Sequence, residues 1–324
     1  MKFGLKYKPY RRRFTKPLKS PSGLWKYREG IIIQLTDPNG RRGYGEIAPL
    51  EWFGTESIAE AIKLLDSFSG NIDANAISAG WGTYPCSTFG LRAAIGDFQQ
   101  KKERKFETVI LVGSTTEGLK RLEEGIKHLK LKLTREAKEI ELEGIKELVS
   151  LGAKARLDPN GGLSMSEFMW WMEALEELQG IEFLEQPLNV GLEREMIAVS
   201  QNFKTTIALD ESIGSIKDIL ELEKSGFKGL YVAKPSTMGD LDRVGELDDD
   251  ILKRMVYSTV LESSIGIEAS LGAIPAICDH KVGFGTSDFF ERDGMYCHGE
   301  GCELYYGRMT EAEKEEIWTR ARWK

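Results

Sequence analysis

From about residue 108 onward, short runs rich in leucine and β-branched residues alternate with longer stretches of helical period. A parallel strand needs a long crossover, usually a helix, before the next strand can lie beside it, so this alternation predicts successive βα units. Eight strand-like runs separated by seven crossovers predict an α/β fold, a TIM-like (β/α)7β barrel. The predicted strands are residues 108–112, 128–133, 154–158, 181–185, 206–210, 229–234, 255–259 and 282–285, and the clearest helices between them are residues 164–179, 192–201, 215–225 and 264–278.

The two ends of the chain have a different pattern. The strand-like residues 30–36 lead into the turn Asp37-Pro38-Asn39-Gly40 and a second strand at residues 42–47, which is the pattern of a β-hairpin. We therefore expect residues 1–100 and 288–324 to form one α+β capping domain, and residues 101–287 to form the barrel. The helices predicted outside the barrel are residues 57–67, 93–101 and 310–322.

Charge and composition narrow the class of partner. Acidic and basic side chains are mixed along the 324 residues and leave a net charge of −7, which gives no field that attracts a nucleic-acid backbone. No apolar stretch near the amino terminus has the length of a signal peptide or a membrane span, and four cysteines are few for a disulfide framework. We therefore expect a cytoplasmic protein with no nucleic-acid partner and no membrane insertion. These observations do not bear on its oligomeric state.

Charged side chains stand at the carboxyl ends of five successive predicted strands. Lys132 ends the second strand, and the next four end in Asp158, Glu185, Asp210 and Lys234. The intervals of 26, 27, 25 and 24 residues each match one βα unit. Because the active site of such a barrel lies at the carboxyl ends of its strands, we expect these side chains to share one rim.

The second strand also determines where its lysines point. Successive side chains of a strand alternate between two faces, so Lys130 and Lys132 share the face opposite to Leu129 and Leu131. We expect the leucines to pack on the helices, which places both lysines in the barrel mouth. Burial there disfavours the ammonium form and is expected to lower the pKa, and a lysine that loses its proton near neutral pH is a usable base.

The three acids predict a metal site. Asp158, Glu185 and Asp210 would repel one another in a medium of low dielectric constant unless a cation lay between them. Mg²⁺ prefers oxygen ligands and leaves coordination positions for water and substrate, so we expect a Mg²⁺ ion here, with Mn²⁺ as a substitute. The expected partner is a small-molecule carboxylate substrate, whose carboxylate would complete the site. The alternative is a set of salt bridges at the barrel mouth with no catalytic role.

The charged residues at the strand ends lie within longer motifs. The barrel motifs are Lys130-x-Lys132, Leu157-Asp158-Pro159-Asn160-Gly161, Leu184-Glu185-Gln186-Pro187, Leu209-Asp210-Glu211-Ser212 and Val232-Ala233-Lys234-Pro235, and the amino-terminal motifs are Gly45-Glu46-Ile47-Ala48-Pro49-Leu50 and Phe53-Gly54-Thr55-Glu56-Ser57. Taken in order, these motifs resemble the enolase superfamily and, within it, the o-succinylbenzoate synthase branch. The resemblance spans nearly the whole chain, and the ordered set is specific although each fragment alone is weak.

The resemblance implies a carbon–oxygen lyase that carries out a syn dehydration. The substrate would be 2-succinyl-6-hydroxy-2,4-cyclohexadiene-1-carboxylate and the product o-succinylbenzoate, in menaquinone or phylloquinone synthesis. Lys132 would take the proton next to the ring carboxylate and return it to the departing hydroxyl, Lys234 would be a cation on the opposite face, and Lys130 would keep the pKa of Lys132 low. The implied metal ligands are Asp158, Glu185 and Asp210, and the implied supporting residues of the metal site are Asn160 and Glu211.

The loop after the seventh strand is the predicted site for the succinyl carboxylate. Residues 262–266 lead into a helix, whose free N–H groups favour an anion, so Ser263 and Ser264 are predicted substrate-binding residues. The alternative is that Ser264 caps the helix without touching the substrate. Trp52 and Phe53 are expected to form apolar walls over the site, and Trp52 is alternatively an anchor between the domains.

Other reactions use the same pair of lysines. Racemases and epimerases of this superfamily place a lysine on each face of the substrate, and N-succinylamino acid racemase is the nearest alternative. Dipeptide epimerases carry an Asp-x-Asp pair after the eighth strand, whereas this chain has Gly285-Thr286-Ser287-Asp288 there. An alternative of a different class is a barrel that binds a ligand without catalysis, and the complete set of lysines and acids argues against it.

Overall fold

The computed structural model describes residues 1–20, 23–79, 82–296 and 301–323. An antiparallel sheet of four strands forms the amino-terminal part of the chain. Asp37 closes the predicted hairpin, because its Oδ1 accepts the N–H groups of Asn39 and Arg41 at 2.9 Å each. The strands are β1 (Lys2–Ser20), β2 (Gly23–Thr36), β3 (Arg42–Ile47) and β4 (Asn71–Asp73), and their order in the sheet is β3-β2-β1-β4.

Three helices complete this amino-terminal region: α1 (Ile58–Ser67), α2 (Ala74–Ala79) and α3 (Pro85–Gly96). The predicted helix at residues 93–101 is wrong in its bounds, because α3 begins eight residues earlier and ends at Gly96. Proline is favoured in a first helical turn, where its missing N–H has no intrahelical partner to lose. The next two N–H groups, of Cys86 and Ser87, donate to the carboxylate of Glu56 at 3.2 and 2.6 Å.

The predicted (β/α)7β barrel is confirmed. Its eight strands are parallel and lie side by side in chain order, and the barrel closes where Ser258 bridges to Gly283. The strands are β5 (Arg104–Val112), β6 (His128–Lys132), β7 (Lys154–Asp158), β8 (Ile181–Glu185), β9 (Ile207–Leu209), β10 (Leu230–Ala233), β11 (Met255–Tyr257) and β12 (Val282–Gly285). The helices between them are α4 (Thr115–Glu123), α5 (Lys138–Ser150), α6 (Met165–Leu175), α7 (Glu193–Ser200), α8 (Ile216–Lys224), α9 (Asp249–Leu252) and α10 (Ser264–Gly272).

Alternation along the strands separates two apolar layers. Leu129 and Leu131 are buried in the large cluster between strands and helices, as their spacing predicts. Phe183 and Val232 belong to a small separate cluster that fills the barrel interior. The apolar cluster occupies the interior of the barrel, and the charged side chains at the strand ends lie beyond it, at the carboxyl end of the barrel.

The carboxyl-terminal tail joins both parts of the molecule. The strand β13 (Glu303–Tyr306) pairs antiparallel with β5, and helix α11 (Glu311–Arg320) packs Ile317 and Trp318 against Tyr10 of the amino-terminal sheet. The division of the chain into residues 1–100 with 288–324 and residues 101–287 stays a prediction. Within the described ranges, no helix is both long and apolar enough to cross a membrane.

Candidate active site

The acids and lysines predicted at the strand ends lie together in the structure. Asp158 and Glu185 are 0% and 1% exposed and share one ammonium group, since Lys130 Nζ lies 2.7 Å from Asp158 Oδ2 and 2.6 Å from Glu185 Oε1. Lys132 Nζ is 2.5 Å from the same Asp158 oxygen. On the other side of the mouth, Lys234 pairs with Asp210. The three acids therefore lie on β7, β8 and the end of β9, between the lysines of β6 and β10.

Backbone geometry after the strands fixes these side chains. Gln186 directly follows the carboxyl end of β8. Its φ is 36°, in the left-handed region that few non-glycine residues adopt. Its buried side-chain oxygen accepts the N–H groups of Asp210 at 3.0 Å and Ser212 at 3.3 Å. Gln186 therefore ties the end of one acid-bearing strand to the next, which holds the two carboxylates in register.

Asn160 and Glu211 are linked by hydrogen bonds to Lys132. Asn160 accepts a hydrogen bond from Lys132 Nζ at 2.7 Å and donates one to Glu211 Oε1 at 3.0 Å. The other oxygen, Glu211 Oε2, is buried and has no hydrogen-bond partner among the described residues. Burial, followed by the charges of Asp158 and Glu185, raises the pKa of Glu211 to about 7.

The lysines differ in their electrostatic surroundings. Burial by itself would lower the pKa of Lys130, but the charges of Asp158 and Glu185 outweigh it and raise that pKa above the ordinary value. The prediction that crowding lowers the pKa is therefore wrong for Lys130, because its carboxylate partners lie in direct contact. For Lys234, burial is the largest influence and lowers the pKa to about 7. A lysine with such a pKa can carry or release a proton near neutral pH.

The donor set fits a hard divalent cation. When all groups are ionised, four carboxylates face three ammonium groups, so the mouth carries one negative charge in excess, and the unpartnered Glu211 Oε2 lies within it. In the described part of the chain, no three His, Cys, Asp or Glu side chains are arranged to hold a metal ion, because the carboxylates turn towards the ammonium groups instead. Oxygen-only donors with excess negative charge are the chemistry that Mg²⁺ prefers.

An aromatic cover from the amino-terminal region lies over the mouth. The ring centroid of Phe53 is 4.2 Å from Lys234 Nζ, so this side chain faces the site as predicted. Trp52 instead packs edge-on against Trp25 at 4.9 Å and joins a small apolar cluster with Val260 of the barrel. Trp52 is therefore in the position of an anchor between the two regions.

The amino terminus of α10 holds an anion, but that anion belongs to the chain itself. The carboxylate of Glu46 accepts the N–H groups of Ser263, at 3.1 and 3.0 Å, and of Gly266, at 3.1 Å. The N-cap residue is Ser263, whose hydroxyl accepts the N–H of Ile265, and not Ser264 as the alternative proposed. Ser263 is fully buried beneath Glu46, so contact of Ser263 and Ser264 with a substrate carboxylate stays a prediction.

Sequence reasoning missed three buried charges that approach this loop from the amino-terminal sheet. Arg12, Arg28 and Glu46 are 2%, 1% and 1% exposed. The sequence showed Glu46 only as part of an amino-terminal motif, with no sign that it is buried. The two arginines lie among other basic residues near the amino terminus, a composition typical of solvent-exposed surface. Nothing in the local sequence pattern distinguishes these charges from their exposed neighbours.

Two family profiles match the chain. The profile described as MenC, N-terminal domain, matches residues 22–97, and the profile described as Enolase C-terminal domain-like matches residues 115–272. The o-succinylbenzoate synthase of Thermosynechococcus vestitus is 30% identical over 293 residues, which cover 86% of this chain and 90% of that protein.

One solved structure gives the same assignment, and a second shares the fold. The crystal structure of o-succinylbenzoate synthase from Thermosynechococcus elongatus BP-1, complexed with Mg in the active site, superposes with a TM-score of 0.83, with 26% identity over 98% of this chain and 99% of that one. The N-succinyl Arg/Lys racemase of Bacillus cereus shares the fold, with a TM-score of 0.79 and 16% identity over 98% of each chain. By sequence and by fold, this chain belongs to the o-succinylbenzoate synthase family of lyases in the enolase superfamily.

Proposed function

We propose that this protein is a Mg²⁺-dependent o-succinylbenzoate synthase, which removes water from 2-succinyl-6-hydroxy-2,4-cyclohexadiene-1-carboxylate to give o-succinylbenzoate. One observation carries the proposal: Lys132 and Lys234 end the strands on either side of the three strands that end in acids. A substrate seated over the acids would therefore have an amine on each side. We place the reaction in quinone synthesis, of menaquinone or phylloquinone, because o-succinylbenzoate is the product that the family name specifies.

Lys132 has the geometry of the acid–base group. Its Nζ is held by Asp158 at 2.5 Å and by Asn160 at 2.7 Å, and the side chain is 21% exposed, so it is both oriented and accessible from the mouth. As an amine it takes the proton from the carbon next to the ring carboxylate. It then delivers the same proton to the hydroxyl on the neighbouring carbon, the C–O bond breaks, and water leaves. Both transfers use one face of the ring, which is a syn elimination.

The acids would hold the metal, and the remaining lysines would tune the site. Asp158, Glu185 and Asp210 are the proposed ligands, with Mn²⁺ able to replace Mg²⁺. When bound, the cation supplies charge stabilisation for the enediolate that forms when the proton leaves. Lys130, fixed between two carboxylates, places a second positive charge beside Lys132.

Racemisation of N-succinylamino acids is a second candidate activity, and one observation favours it. Racemisation needs a base on each face of the α carbon, and burial lowers the pKa of Lys234 to about 7. That lysine can therefore accept a proton from the face opposite to Lys132. Dehydration needs only a cation at this position.

Product analysis of two lysine variants tests the proposal. We expect wild type to form o-succinylbenzoate only with Mg²⁺ present, and Lys132→Ala to lower the rate by more than the roughly 10²–10⁴ typical of one acid–base group. Lys234→Arg keeps the charge but not a titratable amine, so it is expected to retain more dehydration than racemisation. Lys146→Ala on the outer surface of α5 is the matched control and should behave as wild type.

Two results would contradict the proposal. Near-native dehydration by Lys132→Ala would show that this residue is not the base. Racemisation of N-succinylamino acids by the wild type, measured by deuterium exchange at the α carbon, without any dehydration would show that the second candidate is the true activity.

A further inference from the structure

The loop between β11 and α10, residues 259–263, is bound by charges from the amino-terminal sheet. We call it the strand-seven loop, because β11 is the seventh strand of the barrel. Arg28 Nε donates to the carbonyl of Val260 at 2.8 Å, and Arg12 Nη1 donates to the carbonyl of Glu262 at 3.3 Å. Leu261 within the loop has a φ of 65°, a left-handed conformation that costs free energy for a branched side chain. Contacts from outside the loop are therefore needed to hold this conformation.

Glu46 makes the most extensive of these contacts. Besides the N–H groups of Ser263 and Gly266, its carboxylate accepts hydrogen bonds from the hydroxyls of Ser263 and Tyr10. Position 266 must be a glycine for this arrangement, because a Cβ there would lie 2.9 Å from Glu46 Oε2 and 2.7 Å from the side chain of Glu262. The first turn of α10 is thus shaped to admit a carboxylate from another part of the chain.

The position of Glu46 is itself rigid. It lies on β3, in register with Ile32 of β2. On its other side α3 packs so closely that a Cβ at Gly45 would lie 2.0 Å from the carbonyl oxygen of Gly90. The carboxylate therefore projects from a fixed platform, and the strand-seven loop is placed relative to that platform.

From the strand-seven loop, a hydrogen bond continues to Ser236, two residues after Lys234. Glu262, the neighbour of Ser263, is buried and accepts from the hydroxyl of Ser236 at 2.9 Å and the N–H of Val260 at 2.8 Å. Ser236 lies in the short helical turn that begins directly after Lys234. A shift of the loop would therefore move the segment from which the Lys234 side chain projects.

We propose that Glu46 is a positioning residue for Lys234, acting through Ser263, Glu262 and Ser236. It orients the strand-seven loop and locks the amino-terminal sheet onto the barrel, and it fills a helix terminus that would otherwise attract a solvent or substrate anion. This inference rests on the proposed function, because it assigns Glu46 its effect on that reaction. Displacement of a reacting group by about 1 Å can lower a rate by about 10²-fold, so the effect is large enough to measure.

The test compares Glu46→Gln with Glu56→Gln. Both wild-type residues are buried carboxylates that accept helix N–H groups, and in both cases burial raises the pKa, but Glu56 binds α3 within the amino-terminal region. Glu46→Gln replaces one accepting oxygen by an N–H₂ donor, so the side chain can no longer accept both from the Tyr10 hydroxyl and from the N–H groups of Ser263 and Gly266. We expect kcat to fall by about 10–100-fold with KM little changed, whereas Glu56→Gln loses thermal stability and keeps kcat.

Two further measurements separate positioning from general destabilisation. Glu46→Asp keeps the charge on a shorter side chain, and we expect it to recover part of the lost kcat. Amide hydrogen exchange at Ser263 and Gly266, with Mg²⁺ alone as ligand, is expected to become faster in Glu46→Gln and to stay unchanged in Glu56→Gln. If Glu46→Gln does not fold, Ser263→Ala removes one donor to the carboxylate and is expected to lower kcat in the same direction by a smaller factor.

Equal kcat losses in Glu46→Gln and Glu56→Gln, or unchanged exchange at Ser263 and Gly266, would overturn the inference. A wild-type enzyme that forms no o-succinylbenzoate would instead overturn the proposed function. The exchange measurement needs no turnover, so it still decides whether Glu46 holds the strand-seven loop.

Discussion

The unpartnered carboxylate of Glu211 leads to a prediction on stability and metal binding. Its pKa is raised from 4.5 to about 7 by burial and by the charges of Asp158 and Glu185. The folded, metal-free protein therefore holds this proton more tightly than the unfolded chain does. It follows that the stability contributed by the protonated group is lost as the pH rises from 4.5 through about 7. At about 1.4 kcal/mol for each pH unit, the loss between pH 4.5 and about 7 amounts to at most about 3.5 kcal/mol in the free energy of unfolding.

Glu211→Gln removes this titration. We expect the variant to be more stable than wild type at and above pH 7 without metal, and equally stable at pH 4.5. Addition of Mg²⁺ is expected to stabilise wild type more than the variant, because a nearby cation favours the ionised carboxylate of Glu211 and the variant has no carboxylate there. The stability lost by the metal-free protein would then reappear as metal affinity.

Urea unfolding across this pH range, in EDTA and separately in Mg²⁺ without EDTA, measures the effect. Glu139→Gln, an exposed carboxylate on α5, is the matched control and should follow wild type. If the unfolding free energies of wild type and Glu211→Gln run parallel over the whole range, the excess negative charge at the barrel mouth is not costing stability, and the electrostatic reasoning is refuted.

Three further predictions concern the metal, the packing of the sheet and the aromatic cover. Asp158→Asn, Glu185→Gln and Asp210→Asn are each expected to abolish turnover and weaken Mg²⁺ binding in calorimetry; undiminished binding in all three would refute the ligand assignment. Gly45→Ala places a Cβ 2.0 Å from a backbone oxygen of α3, so we expect it to destabilise the protein by about 3 kcal/mol in chemical denaturation, and an unchanged midpoint would contradict this. Phe53→Ala admits water to Lys234 beneath it, so the pKa of Lys234, which burial lowers to about 7, is expected to rise and to shift the pH–rate profile for racemisation to higher pH; an unmoved profile would show that the ring does not shield this lysine.

Local sequence patterns were sufficient for the barrel and for the rim of its active site. Residue periodicity reports which face of a strand is buried, and the intervals from Lys132 to Lys234 report one βα unit each. Since parallel strands present their carboxyl ends at one edge, identity and spacing together place the acids and lysines in one mouth. For this reason the strands β7, β8 and β12 were predicted with the bounds that the structure shows.

Tertiary structure alone decided which charges meet. Glu46 and Ser263 are 217 residues apart, and no local pattern reports that the carboxylate of one reaches the helix terminus of the other. The raised pKa of Lys130 likewise depends on two carboxylates from neighbouring strands lying in direct contact with it. Periodicity records how strongly each position favours burial, whereas the partner of a buried charge is fixed only when distant segments pack, because Coulomb and hydrogen-bond energies depend on distances of a few ångströms.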